Sequence, residues 1–190
     1  YTFEQEIDQH TQDKRLACRA AAASIKEGDT IFIDCGTTMQ SLADCLPEDL
    51  PLSVICYSMN VASIVTHRPG TQVMLMGGLY HPSSQSFSSD DGLSYLRRLG
   101  INKAFISAGG VHWTRGASCS NFHEVAVKQA VIETAMESIL VIDANGDRAE
   151  RLCTLLEFMD LRPRWVAEPG EIAPARHRQN DWMAVLVGDL

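Results

Sequence analysis

The stretch that decides the fold reads Thr30-Ile31-Phe32-Ile33-Asp34-Cys35-Gly36-Thr37-Thr38. Its first four residues are apolar or β-branched and predict a short buried strand, which ends at Asp34. Gly36 permits a tight turn, and a helix is predicted from about Thr38 to Leu46. A buried strand, a glycine turn and a helix together make the repeating unit of an α/β fold.

The same unit recurs along the chain. Further strands are predicted at Leu52 to Cys56, Gln72 to Met76, Lys103 to Ser107, Ser138 to Ile142, Arg164 to Ala167 and Met183 to Val187. Helices are predicted from Asp13 to Gly28, from Asn60 to His67 and from Phe122 to Glu137. Continuous apolar strands that alternate with helices predict an α/β fold, a mostly parallel sheet with helices on both faces.

One segment departs from this alternation. The stretch from Tyr80 to Asp91 is rich in serine, contains Pro82 and has no hydrophobic periodicity. A mobile lid, a small extra hairpin and a subunit contact all remain open for it.

Composition limits the classes of protein. The chain of 190 residues is long enough for one core, and its net charge of −8 makes direct contact with DNA phosphates unfavourable. No apolar run is long enough to span a bilayer and the first residues do not have the pattern of a signal peptide, so we expect a cytoplasmic protein. No two of the six cysteines have the spacing of a zinc or redox pair. We therefore predict reduced structural thiols, no metal and no cofactor.

Polar residues and glycines gather at the predicted strand ends. In an open parallel sheet, ligands bind beyond the carboxyl ends of the strands. The candidate ligand-binding residues at these ends are Asp34, Gly36, Thr37, Thr38, Ser58, Asn60, Gly77, Gly78, His81 and His112. The Gly36 turn, with two hydroxyls and unpaired amides at a helix start, suits an anion. Helix capping is the alternative role for Thr37, Ser58 and Asn60.

Glu124 and Lys128 complete the candidate set. They stand four residues apart in the order that favours an intrahelical ion pair, and Ser120 or Asn121 with Glu124 resembles a capping box. The functional alternative is that both face the ligand, with Lys128 as a phosphate partner. A triad of Ser58, His112 and Asp143 can be drawn, but no Gly-x-Ser-x-Gly elbow supports it. No catalytic residue is predicted.

The ordered motifs resemble the C-terminal domain of the DeoR family of bacterial transcription regulators. The resemblance runs from about Lys14 to Glu168 and rests on the lysine-containing helix before Glu27-Gly28-Asp29-Thr30, and on Asp34-Cys35-Gly36-Thr37-Thr38, Cys56-Tyr57-Ser58-Met59-Asn60, Gly77-Gly78, Lys103-Ala104-Phe105-Ile106, Gly116-Ala117-Ser118 and Glu124 through Lys128. Two positions depart from the family. Asp143-Ala144-Asn145-Gly146 replaces the usual Asp-x-Ser-Lys, and Asn102 stands where the family tends to carry aspartate.

The resemblance implies a fold shared with sugar-phosphate isomerases and CoA transferases. It implies an N-terminal winged-helix DNA-binding domain before the chain, with residues 1–12 as the end of a linker and residues 13–190 as the effector-binding domain. It also implies a repressor that senses a small phosphorylated sugar. Its expected partners are that effector, operator DNA through the N-terminal domain and further copies of the chain. Carried over by position, the ligand-facing residues are Asp34, Gly36, Thr37, Thr38, Ser58, Asn60, Gly77, Gly78, Glu124 and Lys128.

Two other functions remain as alternatives to the sensor. The first is a sugar-phosphate isomerase, which needs a carboxylate base and an electrophile, roles that Glu124 and Lys128 could fill. The second is an oligomerisation module with a vestigial pocket. Fold kinship alone does not establish enzymatic function, and the acid-rich active-site loops of such isomerases are not visible in this sequence. The sensor is therefore the predicted function.

Overall fold

The structure, a computed structural model, describes residues 11–112, 116–143, 162–165 and 182–187. The helices are α1 (Thr11–Ala22), α2 (Thr37–Asp44), α3 (Met59–Val65), α4 (Asp90–Leu96) and α5 (Phe122–Thr134). The strands are β1 (Thr30–Ile33), β2 (Leu52–Cys56), β3 (Thr71–Leu75), β4 (Leu79–His81), β5 (Ser86–Ser88), β6 (Lys103–Ser107), β7 (Gly110–His112), β8 (Gly116–Ser118), β9 (Glu137–Asp143), β10 (Arg162–Trp165) and β11 (Trp182–Val187).

Seven of these strands form one sheet in the order β10-β11-β9-β6-β1-β2-β3, and every neighbouring pair is parallel. This confirms the predicted α/β fold. The chain builds outward from β1 through β2 to β3, then returns to place β6 on the other side of β1. The strand order therefore reverses between β1 and β6, and a crevice opens beyond the carboxyl ends of strands at such a switch point.

Side chains that alternate along the strands supply two apolar layers. Ile31 and Ile33 of β1 pack with α1, α2 and α3, whereas Phe32 between them packs on the opposite face with α4 and α5. All three side chains are fully buried. The strands thus read as continuous apolar runs because both faces are covered. The predicted helices on both faces are confirmed.

Several predicted boundaries shift. The first helix was predicted to reach Gly28, but α1 ends at Ala22 because the next residues bond three positions back, as when Ser24 N donates to Ala21 O. The last long helix was predicted to reach Glu137, but α5 ends at Thr134 and Glu137 instead begins β9. Short elements that the sequence did not predict are α4 and the antiparallel pair β7–β8.

The Tyr80–Asp91 segment contains a hairpin, which confirms that alternative, while the mobile lid and the subunit contact stay predictions. Strands β4 and β5 pair antiparallel, and Phe87 N donates to Tyr57 O at 2.8 Å. Met59 N likewise donates to Gln85 O at 2.8 Å. The hairpin is therefore fixed to the carboxyl end of β2, beside the switch point.

Two further findings bear on the class of protein. Within the ranges the structure describes, no helix is long and apolar enough to cross a membrane. Across the same ranges, no group of three or more potential metal ligands comes together, and no disulfide forms. Burial raises the pKa of the Cys56 thiol to about 12, which keeps it protonated as a structural residue. Cys153 lies outside the described residues.

Gly78 allows a close backbone approach to Ser88, and a comparison with Gly77 tests this role. Its φ is 137°, and a Cβ there would stand 2.2 Å from Ser88 O. We expect Gly78→Ala to lower the free energy of unfolding by about 2–4 kcal/mol, from backbone strain together with overpacking. At Gly77 a Cβ meets nothing within 4 Å. Urea unfolding of Gly78→Ala and of the control Gly77→Ala is the measurement. Equal stability of these two variants would contradict this account.

Candidate functional site

Asp34 lies at the switch point and accepts hydrogen bonds from three elements. Tyr57 Oη, just past β2, donates to Asp34 Oδ1 at 2.5 Å. Ser107, at the end of β6, donates to Oδ2 from its N at 2.9 Å and from its Oγ at 3.0 Å. Lys128 Nζ of α5 also donates to Oδ2 in an ion pair. The carboxylate is completely buried and joins β1, β2, β6 and α5.

The electrostatics of this cluster favour both charged forms. Burial acts to raise the pKa of Asp34, but the Lys128 charge and the hydrogen bonds from Lys128, Tyr57 and Ser107 hold it below its usual value. Burial acts to lower the pKa of Lys128, and Asp34 with its neighbours raises it instead. The pKa of Tyr57 is raised by burial and by Asp34, so the phenol remains a hydrogen-bond donor. Asp34 and Lys128 therefore form a buried, ionised pair.

Lys128 and Glu124 form the predicted ion pair, and each also has a second partner at a shorter distance. Lys128 Nζ lies 3.5 Å from Glu124 Oε2 and donates to Ser107 O at 3.1 Å, in addition to Asp34. Glu124 Oε1 accepts from Asn121 Nδ2 at 2.6 Å, and the Asn121 side chain makes no cap bond. The predicted capping box is therefore wrong: Asn121 is the N-cap of α5, but its side chain accepts no backbone N–H, and Glu124 accepts from the Asn121 side chain.

The Gly36 turn lies beside this ion pair, because Ser107 Oγ contacts both Asp34 Oδ2 and Cys35 O at 3.0 Å. Gly36 has φ 101°, in the left-handed region that favours glycine, and it is the N-cap of α2. Asn60 Nδ2 donates to Gly36 O at 3.0 Å and so joins the turns after β1 and β2. Neither Thr37 nor Asn60 caps a helix, because Gly36 and Ser58 occupy the N-cap positions without side-chain cap bonds. The capping alternative is therefore wrong for Thr37 and Asn60, whereas Ser58 takes the N-cap position of α3 without a side-chain cap bond.

Three buried polar atoms near the start of α2 and α3 have no hydrogen-bond partner among the residues that the structure describes. Asn60 Oδ1 and Ser58 Oγ are shielded from solvent without a hydrogen bond, and so is Gln40 Oε1 of α2. Buried polar groups in native structures are nearly always satisfied, and an unsatisfied one costs about 1–3 kcal/mol. Asn60 Oδ1 is an acceptor, so a ligand that offers hydroxyl hydrogens would satisfy it.

Lys14 is a residue that the candidate set omitted. It lies in α1, it is 6% exposed, and its Nζ donates to Thr37 Oγ1 at 3.3 Å. Thr37 is the first residue of α2, whose first amides have no partner within the helix. The sequence could have indicated Lys14, because its spacing places it on the same face of α1 as the buried Ala17, Cys18 and Ala21. A lysine on such a face indicates that its ammonium group interacts with other groups inside the protein.

The remaining candidates lie around the hairpin or outside the described residues. Gly78 packs against Ser88 and Ser89, and a Cβ on Gly77 would meet nothing within 4 Å. His81 stacks on His123 with ring centroids 3.6 Å apart, and its Nε2 pairs with Ser88 Oγ at 2.7 Å. His112 ends β7, but its side chain lies outside the described part of the chain. The structure thus unites Asp34, Gly36, Thr37, Thr38, Ser58, Asn60, Glu124 and Lys128 at one edge.

The two departures from the family lie in different places. Asn102 stands at the amino end of β6, where its Oδ1 accepts from Thr30 N at 2.8 Å. That is the edge of the sheet opposite the switch point, so Asn102 does not contact the candidate site. At the other departure, Asp143 ends β9 and residues 144–146 lie outside the described residues.

The stacked histidines give the structure a predicted pH dependence. Burial and then His81 lower the pKa of His123, with Glu124 opposing them. The unfolded state therefore takes up a proton first as the pH falls below about 6.5, and stability falls in that window. We expect urea unfolding from about pH 7.5 to about pH 5.5 to show this loss, and His81→Gln to make it shallower. The exposed His67 provides the control variant His67→Gln, and an unchanged slope in His81→Gln would contradict the coupling.

Comparisons with known proteins match one family over most of the chain. The family model described as DeoR C terminal sensor domain matches residues 9–162. The Deoxyribose operon repressor of Escherichia coli (strain K12) is 32% identical over 75% of this chain and 57% of its own length. The HTH-type transcriptional regulator IolR of Bacillus subtilis (strain 168) is 29% identical, over 82% and 62%. The Glycerol-3-phosphate regulon repressor of E. coli (strain K12) is 26% identical, over 70% and 53%.

The chain spans less than two thirds of the length of each of these relatives. A solved structure, the Probable sor Operon Regulator from Shigella flexneri, aligns with 97% of this chain and 88% of its own at 10% identity and TM-score 0.49. A second family model, Flagellar regulatory protein FleQ, matches residues 138–190. The DeoR sensor match covers most of the chain, including every residue that forms the switch-point site. The chain therefore belongs to the DeoR family of bacterial transcription regulators, as a C-terminal sensor domain.

Proposed function

We propose that this domain binds a small phosphorylated sugar at the switch point between β1 and β6. In the same proposal, the bound effector controls DNA binding by a winged-helix domain that precedes residues 1–12. The observation that carries the proposal is the pair of unpartnered buried atoms, Ser58 Oγ and Asn60 Oδ1, beside the Gly36 turn. Leaving both groups without partners is costly, and a bound polyol would remove that cost.

The turn also supplies groups that would bind the anionic half of such a ligand. The amides at the start of α2 and its helix dipole favour an anion. Hydrogen-bond donors for an anion and acceptors for hydroxyl groups thus lie side by side, joined by the contact between Asn60 and Gly36. The names of two relatives, a deoxyribose operon repressor and a glycerol-3-phosphate regulon repressor, support a small sugar or polyol phosphate.

The same geometry favours a sensor over an isomerase. A general base has to reach a substrate carbon. Glu124 is 5% exposed, and its two oxygens are engaged by Asn121 and Lys128. Lys128 in turn is paired with Asp34. The two groups that could act as base and electrophile therefore stabilise the floor of the site, which supports a non-catalytic role.

DNA binding and self-association belong to the proposal for the whole protein. The net charge of −8 argues against direct contact between this domain and DNA phosphates. The matched relatives are considerably longer than the matched region, which leaves room for a DNA-binding domain elsewhere. Two-fold operators need paired DNA-binding heads, so we propose a homo-oligomer. Residues 13–190 would form its effector-binding domain.

Ser58→Ala separates ligand binding from stability. Because Ser58 Oγ has no hydrogen-bond partner among the described residues, its removal should leave the melting temperature unchanged or higher. Loss of one neutral hydrogen bond to the ligand should weaken binding roughly two- to tenfold. The measurements are thermal unfolding without ligand and calorimetry with deoxyribose 5-phosphate and glycerol 3-phosphate.

The control is Ser94→Ala, because Ser94 is exposed in α4. It should match the unaltered protein in both measurements. A Ser58→Ala variant that is less stable and binds the phosphate esters normally would show that the hydroxyl is structural. That result would remove the main support for a ligand site at this position.

A further inference from the structure

We infer that strand β3 is an interface, at which it pairs antiparallel with the β3 strand of a second copy of this chain. The two sheets would then join into one continuous sheet across a two-fold axis. This inference rests on the proposed function, because it names the surface through which the proposed homo-oligomer forms. It is carried by the backbone of β3, by its residue types and by the charges at its two ends.

One side of the β3 backbone has no partner strand among the described residues. β3 ends the seven-stranded sheet, and the neighbour with which it pairs is β2. Met76 N donates to Cys56 O at 2.8 Å, so the backbone groups of the even-numbered residues face β2. Those of Thr71, Val73 and Leu75 therefore point away from the sheet. A row of N–H and C=O groups at an open edge is a template for another strand.

The side chains of β3 do not protect this edge. Edge strands that stay unpaired commonly carry a charge, a proline or a bulge, each of which blocks pairing with another chain. β3 has no charged residue and no proline, and its register with β2 is unbroken. Leu75 is 41% exposed, and Leu79 beyond it is 70% exposed. An uncharged edge flanked by exposed leucines indicates an interface rather than an edge that solvent covers.

The charges at the two ends of β3 favour a second copy in the antiparallel direction. The basic Arg68 lies shortly before the strand. At the other end, a Cβ on Gly92 of α4 would stand 3.4 Å from Met76 Cε, and the first turn of α4 holds the exposed Asp90 and Asp91. Antiparallel pairing brings the basic end of each β3 beside the acidic end of the other. The interface is therefore self-complementary in charge, as contact between identical copies across a two-fold axis requires.

The outward backbone groups also fix the register of the pairing. Centring the two-fold axis on Val73 places Val73 opposite itself and Thr71 opposite Leu75 of the second copy. Residues directly opposite each other in an antiparallel pair alternate between those that exchange hydrogen bonds and those that do not. In this register the outward groups of all three residues exchange hydrogen bonds, and the groups bonded to β2 are undisturbed.

Backbone amide hydrogen exchange tests the inference on the full chain of 190 residues. Sedimentation first gives the protein concentrations at which the chain is associated and monomeric. The amides of Val73 and Leu75 should exchange at least about tenfold more slowly in the associated protein than in the monomer, because only the second copy protects them. The amides of Gln72 and Met74 face β2 and should be protected in both.

Two variants at Leu75 test the same edge by sedimentation. Leu75→Pro removes an outward donor without removing a bond to β2, and Leu75→Lys places a charge on the edge. Each should weaken association by at least about tenfold, because a two-fold interface contains every change twice. The control Met136→Lys places the same charge on another exposed apolar residue and should leave association unchanged.

Circular dichroism verifies that every variant is folded, and Leu75→Lys keeps the test informative if Leu75→Pro does not fold. An associated chain whose Val73 and Leu75 amides exchange as fast as in the monomer would overturn the β3 interface alone. Association that both Leu75 variants leave intact would do the same, and the proposed homo-oligomer would stand on another surface. A chain that is monomeric at every concentration would overturn the proposed homo-oligomer and this inference with it.

Discussion

The ion pair between Asp34 and Lys128 is the interaction on which the rest of this edge depends. It is buried, and Tyr57 and Ser107 complete it, so that four elements of the fold meet at one carboxylate. Removing one partner of such a pair typically costs about 3–5 kcal/mol, because the other charge stays buried without compensation. The Gly36 turn begins two residues after Asp34, so the position of that turn follows from this pair. Asp34 and Lys128 therefore position the turn at which we propose the ligand site.

Beside this pair, the site divides into a half that offers donors and a half that offers acceptors. The start of α2 presents hydrogen-bond donors and positive potential. Asn60 and Ser58 present oxygens that lack partners. A phosphorylated polyol matches both halves, whereas a neutral sugar would match only the second. The buried carboxylates Asp34 and Glu124 are both paired with Lys128.

The main sheet was predictable from sequence, because its strands are continuous apolar runs that both layers of helices cover. The turns with Gly36 and Asn60 were predictable too, since carboxyl ends of neighbouring parallel strands meet at one edge. The partnership of Asp34 with Lys128 was not, because the two residues are 94 positions apart and the local partner Glu124 is the obvious one. The stacking of His81 on His123 was equally hidden, because strands of three residues leave no periodicity to detect.

The central claim is that the effector binds on the Gly36 turn, beside the paired Asp34 and Lys128. Nuclear magnetic resonance titration with deoxyribose 5-phosphate tests it most directly, with the backbone amides and the side-chain amide of Asn60 as reporters. The account predicts the largest shifts at Thr37, Thr38 and the Asn60 side chain, with small shifts at the opposite edge around Asn102. Saturable shifts centred elsewhere, with the Gly36 turn unperturbed, would contradict it.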